Sequence, residues 1–278
     1  MTVLYVSPHL DDAALSCAGA LVTRSAAGEH VVVVSVFTEG QPARGYARRR
    51  AEDGAVLRAH GLEAVHLGFA DAPTRLGVAP SFRSLLLGPP AAPGLVAEVA
   101  ASLAALQGRL APSEVWLPLA VGGHVDHRAT FAAGMRSAGA LRFYEERPYA
   151  FSPVLRRLRA MEILGTSPRA VRDAARITAD LEAHGCGALA SADERSAVAR
   201  SLARRLARHP RAALWRARIT RQRYRGSMAR AAMRLVAAYT AETRWLFGDG
   251  DLLALYTRLA PAGPGAFWER TTRLTRIR

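Results

Sequence analysis

TVLYVSPHLDDAALSCAGALVTRSAAGEHVVVVSVF, residues 2–37, decides the fold. It holds two short apolar runs, TVLYVS (2–7) and HVVVVSVF (30–37). The second is β-branched and lacks polar alternation, the mark of a strand buried on both faces. Between them, residues 12–27 carry alanine and leucine at helical spacing and stop at Gly28. Strand, helix and strand in this order form a β-α-β unit with parallel strands. Outward from it the pattern repeats: a helix over 46–60, a strand over 63–69, a helix over 93–108, a strand over 114–119, a helix over 126–137 and a strand over 141–146. Residues 1–150 therefore predict an α/β fold, a doubly wound, Rossmann-like, mostly parallel sheet with helices on both faces. Residues 151–278, rich in arginine and alanine and punctuated by GTSPRA (165–170), HGCGA (184–188) and FGDGD (247–251), predict a mainly helical lobe packed on that core.

The chain has 278 residues, half of them apolar, enough to bury a full core. Its formal charge is +15 and its pI near 11.2, which raises the prospect of a polyanionic partner. All of the basic residues are arginine and none is lysine, the codon bias of a GC-rich genome, so the choice of residue is no evidence of recognition. Solvated helix faces account for this charge better than a nucleic-acid surface does. Cys17 and Cys186 match no paired metal-ligand spacing and read as reduced, buried small hydrophobes. No apolar stretch has the length of a membrane span and MTVLYVSPHL lacks a secretory h-region, which predicts a cytoplasmic location.

The turn after the first strand, SPHLDD, has no G-x-G-x-x-G and offers acids where a dinucleotide fold places glycines. A second cluster, PLAVGGHVDHRAT (118–130), follows the fourth strand. Loops at the carboxyl ends of parallel strands line the ligand crevice, so the two clusters face each other if strands one and four are neighbours. Catalytic zinc sites take three His and carboxylate ligands and keep one position open. His9, Asp12 and His127 supply such a set. Asp11, beside the metal, then serves as general base, and His124 stabilises an oxyanion or protonates a leaving amine, with Asp126 orienting it and raising its pKa. The competing interpretation makes Asp11 and Asp12 helix-start residues, stabilising a helix by about 0.5–2 kcal/mol. His30, His60, His66, His184 and His209 have no such neighbours and read as structural.

His9-Leu10-Asp11-Asp12 and His124-Val125-Asp126-His127 together resemble the PIG-L/LmbE-like family of zinc-dependent N-deacetylases. Arg49-Arg50-Ala51-Glu52, Leu67-Gly68-Phe69-Ala70-Asp71 and Phe143-Tyr144-Glu145-Glu146-Arg147-Pro148-Tyr149-Ala150 extend the likeness through the first 150 residues, and Tyr239-Thr240-Ala241-Glu242 and Phe267-Trp268-Glu269 echo it faintly. The resemblance implies zinc, or another divalent metal, on His9, Asp12 and His127. It implies Asp11 as base, His124 as the carbonyl-facing electrostatic catalyst, Asp126 tuning His124, and Arg49 and Asp71 near sugar hydroxyls. The alternative roles for the last two are a helix salt bridge from Arg49 to Glu52 or Asp53 and an ordinary turn acid at Asp71. Three departures stand out: Leu10 replaces the usual proline, Ala13 the usual glutamate, and Gly122-Gly123 a tyrosine that assists the oxyanion in some members.

The expected function is metal-dependent removal of an N-acyl group, acetyl by preference, from an amino sugar or sugar-bearing small molecule in a bacterial biosynthetic pathway. The basic charge suits an acidic substrate. Two alternatives are an amidase acting on a larger N-acyl or thiol conjugate, and an arginine-rich, non-catalytic binding module on a degenerate hydrolase core.

Overall fold

The computed structural model describes residues 1–42, 45–77, 91–164, 174–183, 191–208, 215–247, 250–259 and 266–276. The GTSPRA and HGCGA stretches, with Cys186, His184 and His209, lie outside the described residues. Strand β1 (Thr2–Ser7) leads into helix α1 (Asp12–Ala26), then β2 (His30–Glu39), α2 (Tyr46–Ala59), β3 (Glu63–Ala70) and the short α3 (Ala72–Leu76). There follow α4 (Pro93–Leu110), β4 (Glu114–Pro118), α5 (Val125–Gly134) and β5 (Ala140–Tyr144). The rest comprises α6 (Pro153–Leu164), α7 (Ala174–Ala183), α8 (Ala192–Arg208), β6 (Trp215–Tyr224), α9 (Gly226–Ala237), α10 (Thr240–Phe247), α11 (Leu252–Leu259) and β7 (Phe267–Arg276).

The strands form one sheet in the order β3-β2-β1-β4-β5-β7-β6. β1 to β5 are mutually parallel, with Val3 opposite both Val31 of β2 and Glu114 of β4. Strand order therefore reverses at β1, whose neighbours are β2 and β4, and the crevice opens between the loops after β1 and β4. Alternation along β1 distributes the core. Leu4 and Val6 face one layer with Leu103, Leu155 and Val198, while Val3 and Tyr5 face the other with Leu57, Leu235 and Tyr256. Helices thus cover both faces, as the patterning predicts. Among the described residues no helix is long and apolar enough to cross a membrane.

Helix is abundant after residue 151, as expected of a mainly helical lobe, and this part of the chain also contributes β6 and β7 to the sheet. β7 pairs antiparallel with β5, and β6 pairs antiparallel with β7 along its whole length, from Trp215↔Arg276 to Tyr224↔Phe267. Arginine stands at 216, 218, 221 and 223 in WRARITRQRY and at 270, 273 and 276 in FWERTTRLTR, so it keeps no strict two-residue period, and the dense arginine conceals both strands.

The late strands also shape α1. Helical dihedrals fail at Cys17 (φ −126°, ψ 18°). Gly19 and Ala20 there donate their N–H groups to the Glu269 carboxylate at 2.7 and 3.2 Å, and the Leu15 carbonyl accepts the Tyr256 hydroxyl at 2.9 Å. The Gly19 and Ala20 N–H groups and the Leu15 carbonyl thus find partners at the bend, so the kink has an identifiable cause. Gly19 is required by proximity as well: a Cβ there would lie 2.5 Å from the Tyr224 ring.

Candidate active site

Backbone geometry places the first cluster. Pro8 and His9 leave β1 and α1 begins at Asp12, with Asp11 at the N-cap position. The Asp11 side chain makes no capping hydrogen bond. Ser7 Oγ accepts the Ala13 N–H at 3.0 Å, and Asp12 Oδ2 accepts the His9 N–H at 2.9 Å. The helix start is satisfied without Asp11, which removes the capping explanation for that residue. Asp11 is nonetheless buried, at 9% exposure.

The second cluster stands on a left-handed turn between β4 and α5. Ala120 has φ 61° and Gly122 φ 84°, and their N-terminal neighbourhood is held by Glu146, whose two oxygens accept the N–H groups of Ala120 (2.7 Å) and Val121 (3.2 Å). Gly122 has a second constraint, since a Cβ there would lie 2.8 Å from the Tyr149 ring. His124 then caps α5, its Nδ1 accepting the Asp126 N–H at 3.1 Å, so the neutral ring carries its proton on Nε2.

The two loops meet. Asp12 Oδ2 lies 3.0 Å from His9 Nδ1 and 3.2 Å from His127 Nε2, and ring centroids of His9 and His127 are 5.3 Å apart. Behind His127, Nδ1 donates to Glu146 Oε1 at 3.1 Å. The His124 ring lies 5.0 Å from His9 and 4.8 Å from His127. Tyr149 stacks edge-on against His127 at 5.5 Å, so a tyrosine ring borders the site from a loop other than the one that carries Gly122.

The charge balance calls for a cation. Burial alone would lower the His9 pKa, but hydrogen bonds and attraction from Asp12 and Asp126 outweigh it and raise it from 6.5 to about 9. His127 behaves alike: Asp12 and Glu146 outweigh burial and raise it to about 10. Burial would raise Asp12, yet His127 and His9 hold it well below the carboxylate range. His124 differs, because burial and repulsion from His127 and His9 push it well below 6.5. For Asp11, burial, reinforced by Asp12 and Glu242 and opposed by Arg49 and His9, raises the pKa from 3.8 to about 7.

Among the described residues, two three-residue groups have donor atoms within 4.8 Å of one another: His9/Asp12/His127 and His9/His124/Asp126. The first fits a divalent metal better. Its two imidazoles attract positive charge, whereas Asp126 already accepts from Ala72 N (2.9 Å), Arg75 (2.6 Å) and His9 Nε2 (3.0 Å), and His124 Nδ1 is taken by backbone. Attraction from Asp126 does raise the pKa of His124, but burial and repulsion from His127 and His9 outweigh it; the Asp126 carboxylate bonds His9 and Arg75, and its backbone N–H orients His124.

The other expected residues lie close by. Arg49 Nε pairs with Glu242 Oε1 of α10 at 2.5 Å, not with Glu52 or Asp53, and its guanidinium stacks 4.9 Å from the Tyr46 ring. Asp71 accepts the Tyr46 hydroxyl at 2.7 Å and caps α3 through Thr74 N at 3.0 Å, the turn-acid role. His30 pairs with Glu63 and His66 with Asp53, both outside the site. Sequence reasoning gave no role to Glu146, Arg75 or Glu242. The adjacent acids at the end of β5 signal Glu146, because strand alternation turns one of two neighbours inward; nothing local marks Arg75.

Comparisons with known proteins bear on the family and the fold. A family model described as PIG-L: GlcNAc-PI de-N-acetylase matches residues 4–138. The chain is 37% identical over 165 residues to 2'-N-acetylparomamine deacetylase of Streptomyces fradiae, a match covering 53% of this chain and 57% of that relative. Among solved structures, a triple mutant of a deacetylase in the teicoplanin biosynthetic pathway superposes with a TM-score of 0.66 at 21% identity, covering 100% of this chain and 99% of that one. The zinc-inhibited form of teicoplanin deacetylase gives 0.64 at 21% identity, again over 100% and 99% of the two chains. At that identity the likeness establishes the fold alone.

Proposed function

From the match of residues 4–138 to the PIG-L family model, we propose that the protein is a metal-dependent hydrolase that removes an N-acetyl group from an amino sugar carried on a small molecule in a biosynthetic pathway. The observation that carries this reading is the convergence on Asp12 Oδ2 of His9 Nδ1 and His127 Nε2, at 3.0 and 3.2 Å, beside an aspartate that caps nothing.

His9, Asp12 and His127 are the proposed ligands, and zinc is the proposed cation on the strength of a nitrogen-and-oxygen donor set. When bound, such a cation polarises the acyl carbonyl and lowers the pKa of water. Asp11 then takes the proton from the attacking water, a task suited to a carboxyl already displaced toward neutrality by its surroundings. His124 presents Nε2–H to the oxygen on which negative charge develops, and its depressed pKa keeps it a neutral donor. Arg75 and Ala72 hold Asp126, which holds His9 through Nε2 and fixes that ring. Arg49 is proposed to approach the sugar hydroxyls, with Asp71 acting behind it by fixing Tyr46. The similarity to a 2'-N-acetylparomamine deacetylase supports an amino-sugar acceptor.

The test is elemental analysis of purified protein, followed by assay of free amine from N-acetylated amino sugars and pseudo-oligosaccharides. Stoichiometric divalent metal and amine release that disappears on chelation support the proposal. Metal-loaded protein that binds such compounds and leaves the amide intact overturns it.

A further inference from the structure

Away from the His/Asp cluster, α6 covers the face of the β7/β6 ribbon and leaves a cavity of about 310 Å³, near the lower limit for small-molecule sites. A second cavity of about 240 Å³ adjoins it, and the two share Glu145, Arg156 and Arg270.

The register of the ribbon gives this space a polarity gradient. Cross-strand pairs Ala217↔Leu274, Ile219↔Thr272 and Arg221↔Arg270 are spaced two residues apart, and all six side chains line the cavities. One end is therefore aliphatic and the other cationic. α6 repeats the gradient, offering Ala160 and Ile163 to the first end and Arg156 to the second.

The cationic end is underpaired. Like charges directly opposite on neighbouring strands are destabilising, yet Arg221 faces Arg270. Glu145 is the carboxylate that lines both cavities: its side chain is 7% exposed, Oε1 lies 3.3 Å from Arg270 Nε, and Oε2 has no hydrogen-bond partner. Arg156 Nε is buried without a hydrogen-bond partner as well. Burial lowers the Arg156 pKa, and attraction from Glu145 does not offset burial together with repulsion from Arg270 and Arg221. Three guanidiniums around one half-used carboxylate form a receptor for an oxyanion, which arginine binds with paired N–H donors.

We propose that this cavity binds a small anionic amphiphile, its oxyanion head on Arg156, Arg221 and Arg270 and its aliphatic chain between Ile163, Ala217 and Leu274. The site is separate from the hydrolytic centre and does not depend on that assignment. It does adjoin it, since Leu119 and Val121 form one wall and belong to the turn that leads into His124.

Calorimetric titration of the full-length protein, with thermal melts in parallel, tests this. All solutions contain excess acetate, so that a carboxylate position on any bound metal is already filled. The probes are octanoate, octyl phosphate, 1-octanol and inorganic phosphate. Saturable one-to-one binding of octanoate or octyl phosphate is expected, with 1-octanol and inorganic phosphate each at least about tenfold weaker, a difference of about 1.4 kcal/mol. Whichever charged octyl probe binds tighter identifies the head. Arg221 is exposed, so Arg221→Gln keeps the fold and is expected to weaken the charged probes about tenfold. Ala217→Phe fills the apolar end and is expected to abolish octyl binding. Equal affinity for 1-octanol, equal affinity for inorganic phosphate, indifference to both substitutions, or no binding at millimolar probe overturns the proposal.

Discussion

Glu146 accepts a hydrogen bond from His127 Nδ1 at 3.1 Å while the same carboxylate holds the N–H groups of Ala120 and Val121. One fully buried side chain thus fixes both the ring proposed to hold the metal and the turn that presents His124. Glu146→Gln keeps an acceptor for the turn and removes the charge behind the imidazole. Metal affinity is expected to fall about 10- to 100-fold, measured by competition with a chromophoric chelator, with the far-ultraviolet circular dichroism unchanged.

Asp11 caps no helix, so its removal separates chemistry from stability. Asp11→Asn is expected to lower kcat by about 10²- to 10⁴-fold with metal content and melting temperature close to those of the parent. Asp12→Asn is expected to lose metal as well as activity. An Asp11→Asn enzyme of undiminished kcat assigns the base elsewhere.

In the metal-free protein His9 and His127 have pKa values raised to about 9 and about 10. A raised pKa on a base contributes stability that is complete below its unfolded value, about 6.5, and is lost as pH rises through the folded value. Melting temperature of metal-free protein is therefore expected to fall between pH 7 and pH 10. Both rings must give up their protons to bind a cation, so metal binding near pH 7.5 is expected to release protons. Calorimetry in buffers of different ionisation enthalpy reads the number directly, and zero release contradicts the ligand assignment.

The Asp11 carboxyl, raised to about 7, has the same sign. Its proton is bound more tightly in the folded than in the unfolded state, so its contribution is present at low pH and lost as pH rises through 7. Carbon-13 NMR of metal-free protein is expected to show one aspartate titrating near there. A bound cation favours the carboxylate, so the acidic limb of kcat/KM in loaded enzyme is expected below pH 7.

Gly122 answers two demands at once, a φ of 84° and contact with the Tyr149 ring. Gly122→Ala is expected to destabilise the fold by about 1–3 kcal/mol. In the double variant with Tyr149→Ala the steric part is relieved and the dihedral part stays. Denaturant unfolding of both variants separates the two contributions.

The parallel half of the sheet is legible because its strands are buried on both faces. Val31 to Val36 can hardly read otherwise, and Gly28 and Gly61 end the helices before β2 and β3. The His and Asp clusters are legible because two chemically similar loops follow strands that the reversal of order brings together. β6 and β7 are obscured for a physical reason: a ribbon with one wet face in an arginine-rich chain carries the same composition as an exposed helix, and its arginines keep no strict two-residue period. Partners contributed from a distance are invisible to any local pattern. Arg75 reaches Asp126 and Glu242 reaches Arg49 across folds of the chain that spacing does not encode.

Glu269 satisfies the N–H of Gly19 across a sequence separation of 250 residues. During synthesis, a ribosome that has delivered the first 150 residues has already made every group proposed to react, but not the carboxylate around which their supporting helix bends. Until that late strand arrives, α1 has two donors with nowhere to turn and β5 stands as an open edge. Completion of the proposed hydrolytic centre therefore waits on residues of the last strand, which also covers the edge that β5 presents until then.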